Sequence, residues 1–271
     1  MPTFHEILTA AVADISAHGY SSEAQLAEWT RKLRMAAESV VMSDSEIRQQ
    51  IRAAMTATYE REVVRNGIVS MNPGVGRFTK ERLEPVMRAE LDRAIMANVS
   101  LIKLNQKEAV EKTLRRFTGW STSIPKGGSR IVDKRKTKAD IAKPTQQSRY
   151  EARRCTIDQG HKFVASLSEI VAHGSGAIAG VWRHVRPRPG YSPRPDHVER
   201  DQKVFLIRDS WAISDGYIKK GSAQYTDEVT KPAEEPFCSC SYRWITDLAD
   251  IPDELLTERG REYLLRGANV K

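Results

Sequence analysis

The sequence predicts an α+β fold: a mainly helical N-terminal region, a basic linker, and a C-terminal domain that joins a helix to a small β-sheet. Two observations carry this. Apolar residues recur at three- and four-residue steps through residues 1–118, and strand-like runs occur only after residue 178.

The helical stripes are explicit. Leu26, Trp29, Leu33, Ala37 and Val40 lie along one face, and Ile47, Ile51, Met55 and Tyr59 follow a cap at Ser43 or Asp44. Met87, Leu91, Ile95, Val99 and Ile102 form a third face on a long helix predicted from about Thr79, as its cap, to Phe117. His18-Gly19-Tyr20-Ser21-Ser22, Asn66-Gly67 and Met71–Gly76 read as breaks, and Pro85 is expected in the first turns of its helix, where a missing N–H is tolerated. These stripes are read as packing between helices.

Residues 119–145 are read as a linker, with Ser123–Ser129 a loop by composition, Lys134-Arg135-Lys136-Thr137-Lys138 its continuation and Pro144 its end. From Gly119 to Cys155 ten Lys/Arg face three acids, an excess of seven that nearly accounts for the net charge of +8. Lys126, Arg130, Lys134, Arg135, Lys136, Lys138 and Lys143 are therefore the candidate contacts to nucleic acid or an acidic protein partner, through salt-dependent phosphate contacts without sequence preference. A solvated linker is the plainer reading. Arg183, Arg186, Arg188, Arg194 and Arg200 make a second cationic cluster.

Residues 146–271 are read as the α+β domain. A helix from Gln146 to Ala172 is stopped by His173-Gly174-Ser175-Gly176. Ile178–His184 is read as a strand, and Val204–Ile207 is apolar throughout, as in a strand buried on both faces. Phe237–Ile245 alternates, which puts Cys238, Cys240, Tyr242 and Trp244 on one face. Asp250 is read as the cap of a closing helical segment that ends at Gly267.

Composition sets the class. With 40 % hydrophobic and 29 % charged residues the chain builds a core and stays soluble, and no run approaches the roughly 18 apolar residues of a membrane span. The N-terminus lacks signal-peptide features, and three cysteines suit a reducing compartment, so folding in a cytoplasm and no membrane contact are expected.

Chemistry is sparse. No Walker-type loop, dinucleotide-binding glycine motif or nucleophile elbow is present. A zinc reading would join Cys238 and Cys240 to His184, His197 or Cys155, but one intervening residue is short of the usual spacing, and the period-two argument places both thiols in a core. A metal-assisted nuclease would use His197, Asp201 and Asp209, yet such ingredients occur in most basic domains, and a histidine bracing its loop is preferred. No catalytic residue, metal or cofactor is expected.

One combination is rare. Trp182-Arg183-His184 leads to Arg194-Pro195-Asp196-His197-Val198-Glu199-Arg200-Asp201, then to the apolar strand and Arg208-Asp209-Ser210-Trp211, and later to Pro236-Phe237-Cys238-Ser239-Cys240. This stretch resembles the C-terminal signature of the Mu F-like minor head proteins of tailed bacteriophages (the phage head morphogenesis family), over Arg149 to Ile245 only. Asp250–Thr257 resembles podophage-type virion proteins that carry this domain. The resemblance implies that Arg194, His197, Asp201, Cys238 and Cys240 are the structural signature. Two positions depart from the pattern: Gln202 stands where the glycine of an aspartate–glycine turn is usual, and Ser239 replaces an arginine. The turn must then form without a residue that adopts positive φ freely.

What the resemblance implies is a non-enzymatic minor head component acting near the portal vertex during capsid assembly. Its partners would be the portal protein, scaffold or major capsid protein, and packaged DNA. Its location would be the virion and, during assembly, the host cytoplasm. The alternatives are a metal-assisted nuclease and a non-catalytic DNA-binding module.

Overall fold

The computed structural model describes residues 2–65, 67, 77–184 and 192–268, with the side chains of 77–80 and 267–268 left aside. Asn66, the Met71–Gly76 break and the cations Arg186 and Arg188 lie outside the described residues.

The protein is α+β. Helices α1 (Phe4–His18), α2 (Glu23–Val40), α3 (Asp44–Tyr59, followed by a π turn at Glu60–Val64), α4 (Arg77–Ser123) and α5 (Lys134–Gly174) precede a small sheet. Strands β1 (Ala179–Arg183), β2 (Val204–Leu206), β3 (Gln224–Tyr225) and β4 (Ser241–Ile245) alternate with short helices α6 (Pro195–Glu199) and α7 (Trp211–Ser214), and α8 (Glu258–Ala268) closes the chain. Strand order is β3-β2-β1-β4, with β1 antiparallel to β2 and β4, and β2 parallel to β3.

Caps fix the first helices. Thr3 and Glu6 form a capping box on α1, Ser22 accepts from the Gln25 N–H on α2, and Ser43 exchanges hydrogen bonds with Glu46 on α3. Two prolines sit deeper in helices than the sequence suggests. Pro85 is inside α4, which begins at Arg77. Pro144 does not end a linker but lies inside α5. The carbonyl that Pro144 leaves without a donor is Asp140 O, and Arg116 Nη1 donates to it at 2.6 Å. The break between α4 and α5 is therefore 124–133 rather than 119–145, and Lys134, Arg135, Lys136, Lys138 and Lys143 are helical. Asp133 starts that helix, its carboxylate accepting from the Arg135 and Lys136 N–H groups at 3.0 Å.

The chain forms two compact units, and neither follows the boundaries read from composition. The first comprises Met1–Ala53 and Ile95–Ile157, the second Ala54–Ala94 and Asp158–Lys271. In the first unit Phe4, Leu8, Val12, Ile15, Leu33, Val110, Leu114 and Phe117 make the core. The remaining loop is pinned there: Gly127 N donates to His18 O at 3.0 Å and Ser129 N to Ser16 O at 2.8 Å, so it caps the end of α1.

In the second unit the sheet is buried on both faces. Ala179, Val181, Leu206 and Ile245 pack with Leu248, Ile251, Leu255 and Leu256. On the other face Trp182 and Phe205 pack with Cys238, Cys240 and Tyr242. Gly180 lies under the aromatic rings of β4, and a Cβ there would stand 2.8 Å from Tyr242 Cδ1. Neighbouring α5 residues close this face, with Trp244 Nε1 donating to Ser168 Oγ at 3.1 Å.

Candidate functional site

The signature residues converge in the second unit, on the turn around α6 and the irregular segment 226–240. Pro195 at the start of α6 supplies a fixed φ where no N–H is needed. One turn of helix then projects His197 inward, where its side chain is fully buried.

The His197 ring meets the Trp182 indole edge-on at 5.3 Å between centroids. Its Nδ1 lies 3.5 Å from Cys238 Sγ and 3.7 Å from Cys240 Sγ. The three donor atoms lie within 4.8 Å of one another, and neither cysteine is in a disulfide. Its Nε2 faces two carboxylates, Glu235 Oε2 at 3.7 Å and Asp196 Oδ2 at 3.9 Å. The Ala233 N–H donates to Cys238 Sγ at 3.4 Å. The Cys238 thiol is held well below the ordinary thiol range, first by its hydrogen bond with the Cys240 side chain, then by backbone N–H groups of Cys240 and Ala233 and by His197, all against the opposing effect of burial. Burial pushes the Tyr242 phenol up.

The thiols reach this place differently from the expectation. Both are buried in the core beside Tyr242, as the alternation suggests, but β4 begins only at Ser241. Phe237 takes φ 59° and Ala233 φ 64°, so the chain before β4 is a pair of left-handed turns rather than a strand. Those turns aim both cysteines at one imidazole.

Arg194 holds the same segment from outside: its Nε pairs with Glu235 Oε2 at 2.5 Å, and its Nη2 donates to Pro236 O at 3.0 Å. Arg200 pairs with Asp196 at 3.0 Å, donates to Thr230 Oγ1 at 2.9 Å and lies over the Trp182 ring at 5.2 Å. Asp158 in α5 accepts from the Phe237 N–H. Sequence reasoning missed Glu235 and Asp158. Glu235 sits beside Pro236 of the signature, whereas nothing local marks Asp158.

Asp201 serves the turn, not His197 chemistry. Its Oδ1 accepts from the His184 N–H at 2.8 Å and from Gln202 Nε2 at 3.1 Å, which ties the end of β1 to the turn. The His184 backbone N–H, ahead of the Gln202 side chain, holds the Asp201 carboxyl below its usual range. The stabilisation is thus complete above about pH 4 and is lost as pH falls through the lower folded value.

Gln202 itself takes φ 63°, the conformation glycine adopts freely. Relief of about 1–2 kcal/mol of left-handed strain, partly offset by the chain freedom of glycine, gives an expected gain of about 0.5–1 kcal/mol for Gln202→Gly. A denaturation midpoint that falls instead would mean that the side-chain bond to Asp201 outweighs the strain.

A cleft of about 800 Å³ adjoins the cluster, lined by Cys240, Ser239, Tyr242 and Trp244 and by both cations and acids, among them Arg183, Lys231, Arg243 and Glu169. Farther along the signature, Arg208 forms a bidentate pair with Asp227 at 2.9 Å and stacks on Tyr225 at 4.0 Å, and Trp211 Nε1 donates to Gly176 O at 3.0 Å.

The basic tract belongs to the first unit. Lys126, Arg130, Lys134, Arg135, Lys136 and Lys143 are exposed, while Lys138 is half-buried and donates to Thr9 Oγ1 at 3.2 Å. Comparison with protein families, curated proteins and solved structures finds no match for the chain.

Proposed function

We propose that the chain is a minor head protein of a tailed bacteriophage, a structural and interaction component acting at or near the portal vertex during capsid assembly. The resemblance of Arg149–Ile245 to the Mu F-like signature carries the reading. Its support on the molecule is that Arg194, His197, Asp201, Cys238 and Cys240 all serve one turn and its facing segment, and that Gln202 takes positive φ where the signature has glycine. Within the protein these residues contribute ion pairs, backbone hydrogen bonds and buried contacts.

The partners on this reading are the portal protein and the scaffold or major capsid protein, with packaged DNA reached by the exposed cations. The protein would be found in the virion, and in the host cytoplasm while heads assemble. Mass spectrometry of procapsids and virions of the encoding phage is expected to find the chain at low copy number. Its absence from both particles rejects the proposal.

The exposed cations favour one second reading, a non-catalytic DNA-binding module. It predicts binding to unrelated duplexes that weakens steeply with salt, and a loss of that binding when Lys134, Arg135 and Lys136 are changed to Ala. A nuclease built on His197 and Asp201 has less support, because the imidazole is buried against two thiols and Asp201 Oδ1 is engaged by backbone.

A further inference from the structure

We infer that His197, Cys238 and Cys240 bind one zinc ion, through His197 Nδ1 and the two thiolates. The inference does not rest on the head-protein reading. It revises the expectation of a purely packed thiol core, which rests on the alternation through Phe237–Ile245 and on the single residue between the cysteines. Folding brings the imidazole from 41 residues away.

The distances fit. Zinc binds thiolate sulfur at about 2.3 Å and imidazole nitrogen at about 2.0 Å, and tetrahedral corners at those lengths lie roughly 3.5 Å apart. The two sulfurs stand 3.5 and 3.7 Å from Nδ1. A cation at the centre of the three atoms would be coordinated by all of them at once. Two thiolates and a neutral imidazole also cancel the charge of the ion, which suits a pocket walled by Trp182, Phe205 and Tyr242.

The surroundings fit as well. A histidine bound to metal through one nitrogen commonly presents the other to a carboxylate, which fixes the ring. Here Nε2 faces Glu235, itself anchored by Arg194. The Ala233 N–H directed at Cys238 Sγ is the kind of bond that stabilises a thiolate. Every His, Cys, Asp and Glu of the chain lies among the described residues, and no fourth one joins the group. The remaining coordination position is therefore for a small exogenous ligand such as water, reached from the cleft that Cys240 lines. The ion would tie the α6 turn to the segment before β4, with both thiols giving up their protons on binding.

The test uses the full-length chain, purified under reducing conditions from zinc-supplemented cells. Elemental analysis is expected to find about one zinc per chain. After chelation, titration with Co²⁺ alone is expected to give the visible bands of a four-coordinate site and a thiolate charge-transfer band in the near ultraviolet, both displaced by Zn²⁺. Cys238→Ser and Cys240→Ser should each halve the charge-transfer intensity, and Cys155→Ser should leave it unchanged. Glu235→Gln should weaken zinc affinity by about tenfold, as loss of a carboxylate behind a ligating histidine does. A wild-type chain without zinc and without the cobalt bands overturns the inference. So do bands that survive unaltered in Cys238→Ser and Cys240→Ser.

Discussion

Trp182→Ala is expected to destabilise the second unit by about 3–5 kcal/mol, the range for deleting a large buried aromatic side chain. Trp182 is fully buried, and its ring contacts His197, Phe205 and Tyr242 at centroid distances of 5.3, 6.0 and 5.6 Å. The Arg200 guanidinium also lies over it. Removing the indole opens a void between the sheet and the thiol–imidazole cluster, so two layers lose support at once. Trp182→Phe is expected to cost about half as much, because the indole Nε1 has no hydrogen-bond partner among the described residues and most of the lost contact is apolar. Native-state hydrogen exchange reads this unit separately from the other, where a single unfolding curve would blend them. Amides of β1 should exchange at least about a hundredfold faster in Trp182→Ala, since each 1.4 kcal/mol is tenfold in the opening equilibrium. Protection equal to wild type would mean that this face of the sheet is not a core.

Gly19→Ala should be nearly as damaging in the first unit, at about 3 kcal/mol. Gly19 ends α1 at φ 74°, and a Cβ there would stand 1.9 Å from Pro125 O. The obstruction is backbone, so no side chain can rotate out of the way, and it adds to about 1–2 kcal/mol of left-handed strain. Gly128→Ala shares the mechanism, with φ 83° and a Cβ 2.4 Å from both Ser16 O and Ala17 O. Gly127→Ala separates the two causes. It has φ 91° but nothing within 4 Å of its Cβ, so it should lose only about 1 kcal/mol. Chemical denaturation of the three variants checks the order. Equal losses at Gly127 and Gly19 would show that the close packing of 124–129 on α1 contributes nothing.

Much of the fold was legible because its causes are local. Ser43 and Glu46 mark the start of α3 within four residues, and Gly174 stops α5 where composition says it should. Val204–Ile207 reads as buried on both faces, and Phe205 and Leu206 enter different clusters. The errors have non-local causes. Pro144 looks like a helix boundary because the sequence does not reveal that Arg116 will take the orphaned Asp140 carbonyl. The two-residue β3 is too short to carry a pattern and exists through its parallel pairing with β2. At the site, residue types were readable, but which of His184, His197 and Cys155 meets the two cysteines was not. His197 and Cys238 are distant in sequence, and the left-handed turns at Ala233 and Phe237 that aim the cysteines occur at residues with no special preference for positive φ.

The make-up of the second unit has a practical corollary. It recruits 54–94 as well as everything after Asp158, and Arg82 reaches the Gly174 carbonyl within it. A gene fragment starting at 146 would discard a piece of the body it means to isolate, and a protease nick near 118 would sever α4 rather than a hinge. Excising the signature region intact would call for a circularly rearranged or two-fragment design, because no single scission point separates the halves.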